Sequence, residues 1–363
     1  MRVIGIGGAG CKIATKWDSE AVAVNVSEVE LGKLSGGGEK ILASLSSGVG
    51  SFQGSRMDPA IGYDAYNSVR RQLTNLVRGS FVFAATGGGT GNGIARGILE
   101  DLVVRDDIPL EEKTMFGLIL PYARLESGEF VTNTSNFMNH SVAPAIDAGV
   151  TGNIFMFSNR VKFEKRLSED KFNGMIVDSL RQFFAVPQKN AELKLLDEHI
   201  DAEDFALFLS KPYFNHYTVF NFKPDQEVGS QIAKHHNPLL LAPEQTIEAL
   251  FLLEVPEGGD PTAFYSVVEY FNEQSVKPLY SVVENPALKE MRLTVSMLYS
   301  RAPAELVADF NRVAEEHAQT KARRTIDQHV KLPDLQVDLG DEAKKLNPED
   351  DDILTMLKRI KKL

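Results

Sequence analysis

Five short apolar runs in the first half of the chain have the length and composition of buried strands: residues 2–6, 21–24, 81–85, 115–120 and 154–157. Segments with helical spacing lie between them, over residues 11–17, 59–77 and 94–103. Residues 33–56 are rich in Gly and Ser and are predicted to be mostly loop. Strands that alternate with helices predict an α/β fold with a mostly parallel sheet covered on both faces.

The pattern changes in the second half of the chain. Residues 173–184 have helical spacing, and Pro187 is expected to end or kink this helix. Strand-like runs and two helices follow: strands at 217–220, 249–255, 278–283 and 292–298, and helices near 262–274 and 303–323. We therefore divide the chain into a first domain (1–172), a central helix with its following loop (173–205), a smaller α+β domain (206–325) and a flexible tail (326–363).

Composition limits the classes of function. Of the 363 residues, 43% are hydrophobic, which is enough for a substantial core. The net charge of −11 argues against direct DNA binding by the folded body, because binding phosphates needs a basic face. Cys11 is the single cysteine, so no intrachain disulfide can form. We see neither a signal segment nor an apolar run long enough for a transmembrane helix, and we expect a cytoplasmic protein.

A first glycine cluster follows the first strand. Gly5-Ile6-Gly7-Gly8-Ala9-Gly10 fits G-x-G-x-x-G between a strand and a helix, a turn that exposes backbone N–H groups to phosphate. Alone, it is compatible with a ligand-free turn or with an NAD-dependent oxidoreductase. A dinucleotide site needs an acid at the end of the second strand, where this chain has Asn25, with Glu28 slightly later.

A second cluster, residues 86–93, follows the third strand and opens the next predicted helix. Its many glycines are unfavourable for folding, and they indicate close approach of the backbone to a phosphate chain. A P-loop would need Gly-Lys-Ser/Thr, and no lysine is present here. The phosphate charge would therefore be met by backbone amides, a helix dipole and a metal ion.

The run Gly87-Gly88-Gly89-Thr90-Gly91-Asn92-Gly93 closely resembles the signature GGGTG(S/T)G of the tubulin/FtsZ superfamily, with Asn92 as its one departure. Similar runs occur at 7–11, 25–31 and 54–62, and Asn159 and Asn173 match positions that contact guanine. The resemblance implies a Rossmann-like GTPase domain that binds GTP or GDP with Mg²⁺. It assigns the nucleotide to Gly7, Gly8, Ala9, Gly10, Cys11, Lys12, Asn25, Ser55, Arg56, Gly87, Gly88, Gly89, Thr90, Gly91, Asn92, Gly93, Glu126, Asn159 and Asn173.

The resemblance also implies a pair of catalytic acids. Residues 199–205 are similar to the family loop NxDxxD, whose acids enter the nucleotide site of the next subunit in a filament. Asp201 and Asp204 would hold water and cation for attack on the γ-phosphate. His199 replaces the family's Asn. The alternative is that both acids only cap a following helix.

Two features set the chain apart from FtsZ. In the loop after residue 120 the register is open: the resemblance implies that Glu126 or Glu129 would hold the ribose and that Arg124 would reach a phosphate. The 26 positions between Asn173 and His199, interrupted by Pro187, resemble the plasmid and phage TubZ group. This resemblance implies DNA segregation or positioning, and an FtsZ-type division role is the alternative.

The tail carries an acidic stretch, 341–352, before a basic amphipathic segment, 353–363. We predict that this segment docks on a partner, either a DNA-binding adaptor, an adjacent subunit or an anionic membrane. A frayed, solvated end is the alternative.

Overall fold

The computed structural model describes residues 1–45, 54–105, 108–304 and 306–327, and side chains as far as residue 320. The predicted docking segment 353–363 lies outside the described residues. Met1–Ala318 form one compact unit, and a second unit begins at Gln319. None of the helices in the described part is long and apolar enough to cross a membrane.

The described residues form eleven strands: β1 (Arg2–Ile6), β2 (Val22–Asn25), β3 (Lys40–Leu42), β4 (Ser80–Ala85), β5 (Thr114–Leu120), β6 (Thr151–Ser158), β7 (Lys194–Asp197), β8 (Phe214–Asn221), β9 (Glu248–Val255), β10 (Leu279–Glu284) and β11 (Arg292–Tyr299).

The α-helices of the described part are α1 (Gly7–Trp17), α2 (Glu28–Lys33), α3 (Pro59–Leu76), α4 (Gly89–Val103), α5 (Gly128–Phe137), α6 (Ala143–Asp147), α7 (Arg160–Glu164), α8 (Glu169–Phe184), α9 (Val186–Glu192), α10 (Ala202–Leu209), α11 (Val228–Lys234), α12 (Phe264–Glu273) and α13 (Asn311–Asp327). Short 3₁₀ turns lie at Leu110–Glu112 and Pro261–Ala263, and π-helical turns at Met138–Val142 and Leu306–Phe310.

All eleven strands belong to one sheet, in the order β3-β2-β1-β4-β5-β6-β8-β11-β9-β10-β7. The first six are parallel, as predicted for a Rossmann-like domain. The remaining strands form the mixed part of the same sheet, in which β11 runs antiparallel to β8 and β9. The two parts meet at one paired position, Ile154 with Phe214. This architecture confirms the predicted α/β fold with a C-terminal α+β part.

Side-chain alternation along the parallel strands builds two cores. Ile4 and Val82 pack in the cluster that includes Leu99 of α4, whereas Phe81 and Phe83 pack in the cluster that includes Leu180 of α8. Because helices cover both faces, β4 and β5 are almost entirely apolar, which is why these runs were predictable as strands.

Several helices differ from the predicted bounds. α1 and α4 begin at Gly7 and Gly89, so most of each glycine cluster lies inside a helix. α8 starts at Glu169, four residues before the predicted start, with Ser168 as its N-cap. The helix ends at Phe184 as expected, and Pro187 lies in the first turn of α9. Backbone N–H groups in the first turn have no partner within the helix, so a proline there costs no helical hydrogen bond.

Candidate functional site

The loops after β1, β4, β5 and β6 converge at the carboxyl edge of the parallel sheet, where ligands bind in folds of this class. There they surround a cavity of about 170 Å³. Residues from all four loops and from α8 line it, among them Ala9, Gly87, Gly88, Glu126, Asn159 and Asn173.

Two helix N-termini open onto this cavity. α1 begins at Gly7 and α4 at Gly89, and no side chain caps either N-terminus. Neither first turn contains an acid. The leading N–H groups and the positive ends of both helix dipoles are therefore available to an anion, which is the electrostatic requirement for a phosphate site.

The glycines of the clusters have different roles. A Cβ on Gly10 would overlap the carbonyl oxygen of Phe83, and one on Gly91 would lie 2.7 Å from the carbonyl oxygen of Ala85. These glycines are required because α1 and α4 pack directly on β4. A Cβ on Gly88, by contrast, would meet no atom within 4 Å. Gly88 is thus a cluster glycine with open space beside it, and it lines the cavity.

Polar side chains of the second cluster hold the loop rather than face the cavity. Thr90 Oγ1 donates to Ser55 Oγ at 3.1 Å, and the Asn92 amide donates to the carbonyl oxygen of Thr86 at 2.5 Å. Asn92, which departs from the family signature, therefore stabilises the loop. Arg56 is exposed, with a φ of 50° in the turn before α3.

The candidate residues after β5 differ in their position relative to the cavity. Glu126 lines the cavity, and the Asn159 amide donates to its Oε2 at 3.0 Å. The backbone N–H of Tyr122 also donates to this oxygen, at 2.6 Å. Arg124 instead forms an ion pair with Asp309 at 3.2 Å. The structure thus brings Glu126 and Asn159 together beside the glycine loops, and Arg124 lies outside the cavity lining.

A second cavity, of about 530 Å³, adjoins the first beside α1, α2 and α8. Lys12, Glu30, Glu169 and Asn173 are among its lining residues. Asn25 is buried beneath it and donates to Glu30 Oε2 at 2.7 Å, so its amide orients Glu30. Glu30 lies against Gly8, at the N-terminus of α1.

Among the described residues, no group of three His, Cys, Asp or Glu side chains could hold a metal ion. Mg²⁺ with a nucleotide needs only one or two protein carboxylates, because phosphates and water fill the other positions. Glu30, at the N-terminus of α1, fits that arrangement.

The Cys11 side chain is buried under the first glycine cluster. Its thiol is fully buried, and Sγ lies 3.2 Å from the carbonyl oxygen of Gly5. The side chain packs with Ala23 and Leu31 beneath the loop, so a nucleotide contact by Cys11 would have to come from its backbone. Burial raises the pKa of the Cys11 thiol to about 12.

We expect Cys11 to resist alkylation at pH 8. At a pKa of about 12 only ~0.01% of the thiol is ionised, against roughly a quarter at the ordinary pKa of about 8.5. Labelling with iodoacetamide, followed by mass spectrometry, should be at least ~1,000-fold slower in the folded protein than in denaturant. Labelling at the rate of a free cysteine would contradict this placement.

The predicted catalytic acids lie at the other edge of the sheet. Asp201 is the N-cap of α10, and its Oδ1 accepts from the backbone N–H groups of Glu203 and Asp204, both at 2.8 Å. The adjoining Ala202 lines a groove with Lys113, which immediately precedes β5. Pro121, which follows β5, lines the cavity between the glycine loops. Seven residues of strand, about 23 Å, therefore separate the two regions.

The loop that carries these acids is anchored from beneath. Ile200 is buried, and its backbone N–H donates to Asn190 Oδ1 at 3.3 Å. His199 is exposed beside it. The acid loop is thus fixed to α9, which directly follows α8.

Two site residues could not be foreseen from the clusters. Glu169 lines both cavities. The sequence pattern that could have placed it at the start of α8 is a Ser at the N-cap, Ser168, followed by acidic residues. Asn133 donates to the carbonyl oxygens of Met57 and Gly87, each at 3.0 Å, and so joins the turn before α3 to the second glycine cluster. No local pattern marks Asn133, since it lies within α5, which was not predicted.

No protein-family model matches the chain, and no curated protein sequence does. Solved structures do match. One is TubZ of Bacillus thuringiensis serovar israelensis in a GTPγS-form protofilament, with 14% identity, 89% of this chain and 94% of that chain covered, and a TM-score of 0.70. Another is CetZ2 from Haloferax volcanii in a GTPγS-bound protofilament, with 19% identity, 89% and 100% covered, and a TM-score of 0.66.

A third match is an FtsZ dimer from M. jannaschii, with 16% identity, 82% of this chain and 87% of that chain covered, and a TM-score of 0.57. Each of the three matches covers more than four-fifths of the chain. The chain therefore has the fold of the tubulin/FtsZ superfamily.

Proposed function

We propose that this chain binds GTP, polymerises head to tail into filaments and hydrolyses GTP at the contact between successive subunits. GTP or GDP would occupy the cavity between the glycine loops, with its phosphates at the N-termini of α1 and α4. The GTPγS-bound protofilaments of CetZ2 and TubZ support this choice of nucleotide and of assembly.

The position of the acids carries the proposal. Asp201 and Asp204 lie at the amino edge of the parallel sheet, and the cavity lies at its carboxyl edge. They cannot reach a nucleotide bound to the same subunit. Stacking a second copy along the strand direction brings its acid loop over the cavity, and such a heterologous contact repeats into an open filament.

In the mechanism, backbone N–H groups of both helices neutralise phosphate charge, Glu126 holds the ribose, and Asn159 and Asn173 contact the base. Mg²⁺ would stabilise charge on the phosphates, with Glu30 as a protein ligand. Asp201 and Asp204 of the next subunit orient the attacking water. Hydrolysis therefore depends on assembly.

We further propose that the filament positions plasmid or phage DNA in the cytoplasm. The break between α8 and α9 at Pro187, which resembles the TubZ group, favours this over cell division. The net charge of −11 argues that DNA is reached through an adaptor. A small DNA-binding regulator encoded beside this chain would support segregation, whereas cell-wall genes would support division.

Sedimentation and electron microscopy test the proposal. We expect filaments that pellet with GTP and more persistently with a slowly hydrolysed analogue, and no filaments with GDP or NAD. NAD binding without pelleting would instead identify an oxidoreductase, the alternative based on Gly5, Gly7 and Gly10. Removing residues 341–363 in parallel separates the role of the tail from that of the body.

A further inference from the structure

A buried amide lies beneath the acid loop. Asn190 of α9 is 4% exposed, and its Oδ1 accepts hydrogen bonds from the backbone N–H of Ile200 at 3.3 Å and from the hydroxyl of Ser281 in β10. Its Nδ2 donates to the carbonyl oxygen of Val186, one turn earlier in α9, at 3.0 Å. One side-chain oxygen therefore joins the residue before Asp201 to a strand much later in the chain.

A second anchor lies one residue earlier in α9. Lys189 Nζ is 2.6 Å from Glu254 Oε1 in β9, and Glu254 is fully buried. The amide of Asn285 donates to the other oxygen of Glu254, at 2.7 Å. A buried ion pair adds little net stability, but if α9 moved away, a buried charge would be left unpaired. The pair therefore holds α9 at one place on the C-terminal strands.

The turn that leads into the acid loop is held by β10 as well. Asp197 pairs with Val282, and the Ser281 hydroxyl lies 3.4 Å from the carbonyl oxygen of Glu198. Glu198 has a φ of 42°, a region that residues other than glycine rarely adopt. Such a conformation persists only where surrounding contacts hold it. The acid loop thus takes its position from α9 and β10, whereas α8 already ends at Phe184.

We propose that Asn190 is a positioning residue, which fixes where the carboxylates of Asp201 and Asp204 stand in the nucleotide site of the neighbouring subunit. The inference rests on the proposed function and adds how its acids are held. Asn190 is buried beneath the loop, so it can act only through Ile200 and the acid loop. An attacking water must be oriented closely, and a displacement of about 1 Å can cost on the order of 100-fold in rate.

Replacing Asn190 with Leu removes the accepting oxygen at similar volume, so the Ile200 N–H and the Ser281 hydroxyl lose this partner. We expect turnover per assembled subunit to fall at least ~10-fold. Filaments should still form, and GTP affinity of the unassembled chain should stay within about twofold, because the glycine-loop cavity lies at the opposite edge of the sheet. Phosphate release normalised to the pelleted fraction measures the first effect, and equilibrium GTP binding measures the second.

Ser281→Ala is the milder variant, since it removes only the hydroxyl that donates to Asn190. It should lower turnover at least ~3-fold. It decides alone if circular dichroism melting shows that Asn190→Leu does not fold. Ser296→Ala is the matched control, because Ser296 is equally buried and donates instead to Asn215, at 2.8 Å. It should lose similar stability and keep its turnover.

Unchanged turnover in a folded Asn190→Leu variant overturns the inference. An equal fall in Ser281→Ala and Ser296→Ala also overturns it, since that fall would reflect destabilisation alone. So does GTP binding that weakens in proportion to turnover. The Asp204→Asn variant tests the proposed function separately. If it keeps full turnover, the assignment of the acids fails. If it loses turnover while the Asn190 and Ser281 variants keep theirs, only the role of Asn190 fails.

Discussion

Replacing Asp204 with Asn should reduce GTP turnover by at least ~100-fold without weakening GTP binding. The Asp204 side chain forms no hydrogen bond or ion pair with another described residue, so its loss should not disturb α10. In the proposed mechanism, this variant lacks a carboxylate that orients water at the neighbour's γ-phosphate. Filaments should still form and should persist, which turbidity and phosphate release measured together will show.

Asp201 requires a more careful substitution, because it also caps α10. Asp201→Ala removes both the charge and the cap, at a cost of about 1 kcal/mol in stability. Asp201→Asn keeps a capping oxygen and removes only the charge. Loss of turnover in both variants with unchanged melting in Asp201→Asn would separate catalysis from folding. Glu203→Gln, on the same turn, is the control that should retain activity.

The in-trans arrangement has its own test. Turnover per subunit of the unmodified chain should vanish below the concentration at which filaments form, because in the proposed mechanism a lone subunit lacks acids at its nucleotide. A dilute, unassembled sample that hydrolyses GTP at the full rate would contradict the arrangement. So would an Asp204→Asn variant with normal turnover.

The location of the site was predictable because it depends on local signals. Apolar runs marked the strands, and glycines at the carboxyl ends of parallel strands must meet at one edge of the sheet. Which glycines are needed for helix packing and which leave open space for a ligand was not predictable. Contact of Gly10 with Phe83 joins residues more than seventy positions apart, and a local pattern cannot distinguish such packing from an approach to phosphate.

Other features that were not predicted from the sequence also depend on contacts between residues far apart in the chain. β7 is a short edge strand that exists only because it pairs with β10, more than eighty residues later. For Asp201, helix capping and catalysis were alternatives in the sequence, yet the structure makes them compatible. Capping uses Oδ1, and Oδ2 forms no hydrogen bond with a described residue.

Two alanine substitutions should distinguish a glycine that is needed for helix packing from one that leaves room for the nucleotide. Gly10→Ala forces a methyl group against the Phe83 carbonyl, so α1 must move away from β4. We expect a loss of about 3 kcal/mol or more and a melting temperature lowered by about 4 °C or more. Thermal unfolding followed by circular dichroism measures both.

Gly88→Ala is the matched variant and should behave in the opposite way. Its φ of −80° suits alanine, and its methyl group meets no atom within 4 Å. Stability should be unchanged or slightly higher, because alanine restricts the unfolded chain. GTP affinity should fall at least ~10-fold, since the methyl group stands where the backbone must approach a phosphate. Normal GTP binding by Gly88→Ala would place the phosphates elsewhere, and equal destabilisation of the two variants would contradict the packing argument.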